Sequence, residues 1–232
     1  MIVTIHQPEY LPYIGFFQRV FGADVFVVLD DVGYQKNGFI NRNKIKTSQG
    51  EQWITVPVKG RSPNLKINEV FIDNQTDWQS RQWKAISINY AKAPYFKIYS
   101  QFFEEVFNKK WEKISDLDIY LIEGLIKIFR GKTKIVRASE LNAKGKGTER
   151  LINICKKLGA DIYLSGPGCE GHKVNIGEFE KEKIRIKIHD LNNPEYPQLF
   201  MNNGFLSYMS IIDLLFNCGP KSLEIIKLNS KT

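Results

Sequence analysis

Ile2-Val-Thr-Ile-His-Gln-Pro-Glu-Tyr-Leu-Pro-Tyr-Ile-Gly15 opens the chain, and the deciding stretch runs on through Asp30-Asp31 to Asn41-Arg42-Asn43-Lys44. A short apolar strand ends at His6 and enters a loop with two prolines. The chain leaves that loop through an amphipathic helix, Ile14–Gly22, on which Phe16, Phe17, Val20 and Phe21 recur at helical spacing. Gly22 is a natural helix terminator. A second apolar run, Val25–Leu29, then delivers Asp30 and Asp31. Strand, short helix and apolar strand predict a βαβ unit whose strands are parallel and covered on both faces.

Outward from this unit the period changes twice. A polar loop over 33–43 is too rich in Asn and Gly for a regular element, and Lys44–Thr47 with Trp53–Lys59 alternate around Ser48–Glu51 as a hairpin. A further β segment is expected over Leu65–Ile72. From Asp77 to Arg130 the apolar residues recur at helical spacing. Asp77 can cap a helix carrying Trp78, Trp83, Ile86 and Tyr90, Pro94 starts another, and Asp116 or Asp118 a third. The α/β rhythm then returns, with strands at Lys134–Ala138, Asp161–Leu164 and Ile184–Ile188 and a helix at Thr148–Leu158. Ser210–Asn217 and a last helix through Leu228 read as a cap on the sheet. The expected fold class is α/β: a parallel-rich, Rossmann-like sheet with a β-hairpin excursion and a helical insertion at about 77–130, all within one domain spanning 1–232.

Composition narrows the class. With 43% hydrophobic and 12% aromatic residues over 232 positions, global disorder is excluded. The N-terminus passes directly into a strand without a basic leader, so no signal peptide is expected. The apolar runs fall well short of the roughly 20 residues a spanning helix needs, so no membrane span is expected. Three cysteines, Cys155, Cys169 and Cys218, are far apart and odd in number, which fits a reducing cytoplasm, with Cys155 and Cys218 in the core. The net charge of +8 is scattered lysine without an RNA-recognition, helix-turn-helix or zinc-finger pattern. It is read as a basic surface that tolerates anionic substrates rather than as a nucleic-acid interface.

In an open parallel sheet ligands sit beyond the carboxyl ends of the strands, where strand order reverses. That rule collects His6, Asp30, Asp31, Ser139, Glu140, Ser165, Gly166 and His189 on one edge. His6 can act as a general base near neutral pH. Successive strand residues point to opposite faces, so at most one of Asp30 and Asp31 is expected to face His6. Two carboxylates can bind a divalent cation, but no further ligand set accompanies them; no metal is expected and no cofactor is named by the sequence. Lys36, Asn41, Arg42 and Lys44, interleaved with Tyr34 and Phe39, are suited to grip a diphosphate and stack a base. Ser165-Gly-Pro-Gly168 offers backbone N–H groups without side-chain bulk, yet no Gly-Lys-Ser/Thr follows as in a Walker loop. The opening also has the strand–loop–helix form of nucleotidylyltransferases, but Tyr10 and Tyr13 stand where that chemistry requires histidines.

Taken together, His6-Gln-Pro-Glu-Tyr-Leu-Pro-Tyr-Ile-Gly-Phe-Phe17, Leu29-Asp-Asp-Val32, Asn41-Arg-Asn-Lys-Ile45, Tyr163-Leu-Ser-Gly-Pro-Gly168 and Ser210-Ile-Ile-Asp-Leu-Leu-Phe-Asn217 with Gly219 resemble the WbqC-like protein family. The resemblance runs from residue 2 to about 220. It implies a cytoplasmic role in building O-antigen or other surface-polysaccharide precursors from nucleotide-activated sugars, and group transfer onto an amino sugar. Carried over by position, its motif residues are His6, Gln7, Pro8, Tyr10, Asp30, Asp31, Asn41, Arg42, Ser165, Gly166, Gly168, Ser210 and Asp213. The chain departs from the family pattern after Ser-Gly-Pro, where His172-Lys173 stand in place of a common tyrosine. The resulting expectation is transfer of an acyl or aminoacyl group from an activated donor to a nucleotide-linked amino sugar. In that scheme His6 is the base, one of Asp30 and Asp31 the orienting group, and Gln7, Tyr10, Lys36, Asn41, Arg42, Ser165, Gly166, Gly168 and His189 contact substrate. A degenerate nucleotidylyltransferase and a non-catalytic sugar-nucleotide or nucleic-acid binding module are the alternatives.

Overall fold

A computed structural model describes residues 1–59, 65–167 and 174–228. Its centre is a five-stranded sheet in the order β5-β2-β1-β6-β7, with β1 Ile2–His6, β2 Val25–Val28, β5 Lys134–Arg137, β6 Ile162–Ser165 and β7 Arg185–Ile188. Every neighbouring pair is parallel. This is the α/β, parallel-rich fold expected from the opening βαβ unit. The chain builds outward from β1 through β2 to β5, then returns to the other side of β1 with β6 and β7. The order therefore reverses between β1 and β6, where Thr4 Oγ1 donates 2.8 Å to the Leu164 carbonyl.

Strand alternation divides the core between the two faces of the sheet. Val3, Ile5, Val25 and Val27 pack with Ile154, Cys155 and Phe179 from α6 (Gly147–Leu158) and α7 (Ile176–Lys181). Phe26 and Val28 point to the opposite face and join Phe16, Phe17 and Val20 of α1 (Ile14–Phe21). The helical insertion lies in this second cluster, as α2 (Trp78–Tyr90), α3 (Phe96–Asn108) and α4 (Ile114–Ile128). Each fully buried phenylalanine here contributes about 1.5–3 kcal/mol. Cys155 and Cys218 are buried free thiols, and burial pushes them up to about 12 and about 11.

A separate antiparallel hairpin, β3 Arg42–Thr47 and β4 Gly50–Thr55, pairs Thr47 with Gly50. Its turn is tighter than the sequence suggests because Thr47 Oγ1 donates to Gly50 O and accepts from Gln49 N–H, while Gly50 takes φ +104°. Leu65–Ile72 is not a strand. Glu69 accepts the Lys66 N–H at 2.9 Å and coils Ile67–Glu69 into a 3-10 turn. Helix α6 starts at Gly147, and the Thr148 hydroxyl accepts from Asn175 N–H across to the start of α7.

The last elements are more central than a cap. All of α8 (Ile211–Cys218) is buried, Ser210 caps it, and α9 (Ser222–Leu228) packs against α1. Asp213 in α8 accepts from Tyr90 Oη at 2.8 Å and Gln198 Nε2 at 2.7 Å, and Gln198 Oε1 accepts from the buried Lys46 ammonium at 3.0 Å. Ser210 and Asp213 thus pin the C-terminal segment onto the hairpin. Among the described residues no helix is long and apolar enough to cross a membrane.

Candidate functional site

At the carboxyl ends of β1 and β6, where the strand order reverses, a cleft of about 540 Å³ opens. His6, Gln7, Glu9 and Tyr13 from the first loop, Arg19 from α1 and Ser165 and Gly166 from the end of β6 face it, with Gln35 at the side.

The His6 ring is held on two sides. Its Nδ1 lies 2.9 Å from the Gln7 carbonyl and the Phe16 ring meets it edge-on at 5.9 Å. A carbonyl only accepts, so Nδ1 is the donor of this contact. Glu9 Oε1 stands 3.8 Å from Nδ1. Burial raises the Glu9 carboxyl from its ordinary 4.5 to about 7, against a lowering pull from Arg19. The loop carrying these groups is fastened from below. Asn43 Nδ2 donates to the carbonyls of Tyr10 and Leu11, and Tyr10 N–H donates to Phe39 O.

Arg19 is the most exceptional group in the cleft. Its Nε is buried without a hydrogen-bond partner, and no carboxylate lies within ion-pair distance among the described residues. Burial pushes its pKa down, opposed by Tyr163, Glu9 and Tyr13. An unpaired guanidinium with five donors beside a cavity is suited to an anion. Tyr163 also lines the cleft, stacked at 5.2 Å on Phe179.

Several residues singled out from the sequence fall elsewhere. Asp30 is 1% exposed and accepts both the backbone N–H of Ser139, at 3.0 Å, and its hydroxyl, at 2.6 Å. Asp31 pairs with Arg150 of α6. Neither faces His6. Tyr10 is fully buried and donates 2.6 Å to Gln82 Oε1. Asn41 is buried with its amide on the Val56 carbonyl, and Arg42 donates to Asn37 O and lies 4.4 Å over the Trp53 ring. Lys36 is exposed on its loop. His189 is 5% exposed and does not line the cleft; its backbone N–H donates to the Ser165 carbonyl, and its Nε2 has no partner among the described residues. Burial first, then Arg19 and Lys187, pushes its pKa down, against Asp190. Gly168, Cys169, His172 and Lys173 lie outside the described residues. Among the described residues no group of three or more His, Cys, Asp or Glu side chains could hold a metal ion.

Sequence reasoning passed over Glu9, Arg19 and Gln35 as site residues. The signal for Arg19 was there: it is the one charged residue of α1, IGFFQRVF, and lies on the same helical face as Gly15.

Comparison with known proteins agrees with the motifs. The chain is 34% identical over 229 residues, 97% of each chain, to the uncharacterized protein Rv1507c of Mycobacterium tuberculosis. No solved structure matches it. Residues 7–225, which carry the cleft wall from Gln7 to Leu191 but not Ile5 and His6, match the family's sequence pattern, and the chain belongs to the WbqC-like protein family.

Proposed function

We propose that the protein is an enzyme of surface-polysaccharide precursor biosynthesis that transfers an acyl or aminoacyl group to the amine of a nucleotide-linked amino sugar. The observation that carries this reading is the placement of one basic ring, one carboxyl poised near neutrality and one unpaired guanidinium around a single cleft at the switch point. Arg19 holds the diphosphate, supported by backbone at Ser165 and Gly166. The sugar amine attacks the carbonyl carbon of the activated donor. The N–C bond forms, the bond from that carbon to the leaving group breaks with its electron pair, and the ammonium proton passes to His6 Nε2. Glu9 offsets the charge that develops on the imidazole. Proton transfer of this kind contributes about 10²–10⁴-fold, and orientation supplies the rest.

The test has two stages. A thermal-shift screen over nucleotide sugars identifies the acceptor, because a ligand that binds only the folded state raises the melting temperature. His6→Asn is then expected to lower turnover by about 10²-fold or more with acceptor affinity nearly unchanged. Equal turnover by His6→Asn removes His6 from the proton step, and the absence of any nucleotide-sugar shift removes the substrate class.

A further inference from the structure

Tyr208 is 62% exposed, yet its backbone takes φ +59°, a conformation unfavourable for a bulky L-residue. The strain is imposed by the segment around it. Leu206 N–H donates 3.0 Å to Gln198 Oε1, Ser210 N–H donates 2.8 Å to Lys44 O, and Ile211 N–H donates 2.8 Å to Pro12 O. Tyr13 and Ser210 pair as an isolated antiparallel bridge. The C-terminal end of the turn is therefore fixed against the loop that carries His6 and Glu9, and its N-terminal end against Gln198. Strained residues held in this way concentrate at ligand sites.

The direction in which Tyr208 is held gives the strain a purpose. Its ring centroid lies 6.0 Å from that of Tyr13 at an angle of 56°, and Tyr13 lines the cleft. The Tyr13 ring in turn rests on Gly15, where an added Cβ would come within 2.5 Å of it. Gly15 precedes Arg19 by four residues, about 6 Å along α1 at 1.5 Å per residue. An aromatic shelf thus stands one helical turn from an unpaired guanidinium. That is the order of groups that reads a base, a sugar and a diphosphate.

We infer that Tyr208, backed by Tyr13, forms a stacking subsite at the mouth of the cleft for the heterocyclic base of a nucleoside diphosphate. The two rings are too close and too tilted to admit a base between them, so the base lies on the outer face of Tyr208. The inference rests on the nucleotide-sugar reading above and specifies which part of that substrate Tyr208 holds.

The probes are pyrophosphate, UDP, dTDP and GDP, titrated calorimetrically into the wild type, Tyr208→Phe, Tyr208→Ala and Tyr208→Gly. Against the wild type at least one nucleoside diphosphate is expected to bind about tenfold more tightly than pyrophosphate, the range of a single base–aromatic stack. Tyr208→Phe keeps that advantage. Tyr208→Ala and Tyr208→Gly lose it while pyrophosphate affinity stays unchanged, and Tyr208→Gly melts at or above the wild-type temperature because glycine adopts positive φ without strain. Full nucleoside diphosphate affinity in Tyr208→Ala, no wild-type preference over pyrophosphate, or a lowered melting temperature in Tyr208→Gly that accounts for its weaker binding would each overturn the subsite and leave the anion site standing. No binding of pyrophosphate or of any nucleoside diphosphate would overturn the nucleotide reading and the subsite together.

Discussion

A Cβ added at Gly166 would lie 2.7 Å from Arg19 Nη1, so the guanidinium occupies the space that any other residue at the end of β6 would fill. The obstacle is the tip of a flexible side chain rather than backbone, so Arg19 can swing aside at little cost. Gly166→Ala is therefore expected to change the melting temperature by no more than a few degrees, about 1 kcal/mol, while weakening pyrophosphate binding on the order of tenfold. Calorimetric titration beside a thermal melt checks both. Unchanged affinity would show that the position of Arg19 does not matter to anion binding.

Arg19 itself carries a charge with no ion-pair partner among the described residues in a largely desolvated place, which costs the folded state stability. Arg19→Met keeps the apolar stem and removes the charge. The variant is expected to be as stable as the wild type or more stable by about 1 kcal/mol. It should also lose anion binding by about a hundredfold, the scale of a charge-assisted, two-pronged contact. Denaturant midpoints and titration with pyrophosphate separate the two effects. A variant that is destabilised with its binding intact would make Arg19 a structural residue.

Gly166 was legible in the sequence as a site residue, whereas Arg19 was not read as one. The βαβ opening is plain because Val3, Ile5, Val25 and Val27 alternate against Phe26 and Val28, and that local period dictates two covered faces. The cleft's location follows from parallel strands ending in polar residues. What local pattern cannot supply is which groups from distant parts of the chain meet there. Arg19 on an amphipathic helix reads as a solvated face, and only the adjacency of β1 and β6, 160 residues apart, turns that face into a cleft wall. The same holds for Asp30 and Asp31. Their partners, Ser139 and Arg150, lie 109 and 119 residues away.

Asp30 gives a contrasting prediction, because its carboxylate is spent on the start of α5 (Ala138–Leu141). Asp30→Ala leaves the Ser139 N–H and hydroxyl without their acceptor and opens a small buried void. A loss of about 2–4 kcal/mol is expected, read as a lower denaturant midpoint at unchanged slope. Ligand affinity of the folded fraction should match the wild type. Weakened affinity at full folding would return Asp30 to the site.

Glu9 makes stability depend on pH in a direction opposite to that of an ordinary paired carboxylate. Its pKa is raised from 4.5 in the unfolded chain to about 7 in the folded protein, chiefly by burial. Between these values the folded state binds the extra proton. Stability from this group is therefore complete below about pH 4.5, falls as pH rises towards 7, and stays low above it. At 1.36 kcal/mol per unit the difference is on the order of 3 kcal/mol. Glu9→Gln keeps the shape and removes the titration, so it should be more stable than the wild type at pH 8 and nearly equal at pH 4.5, with the gap opening between. Chemical denaturation of both proteins across that range measures the gap directly. A gap that is constant with pH would mean that Glu9 carries the same charge in both states and that its carboxyl is not poised for proton exchange beside His6.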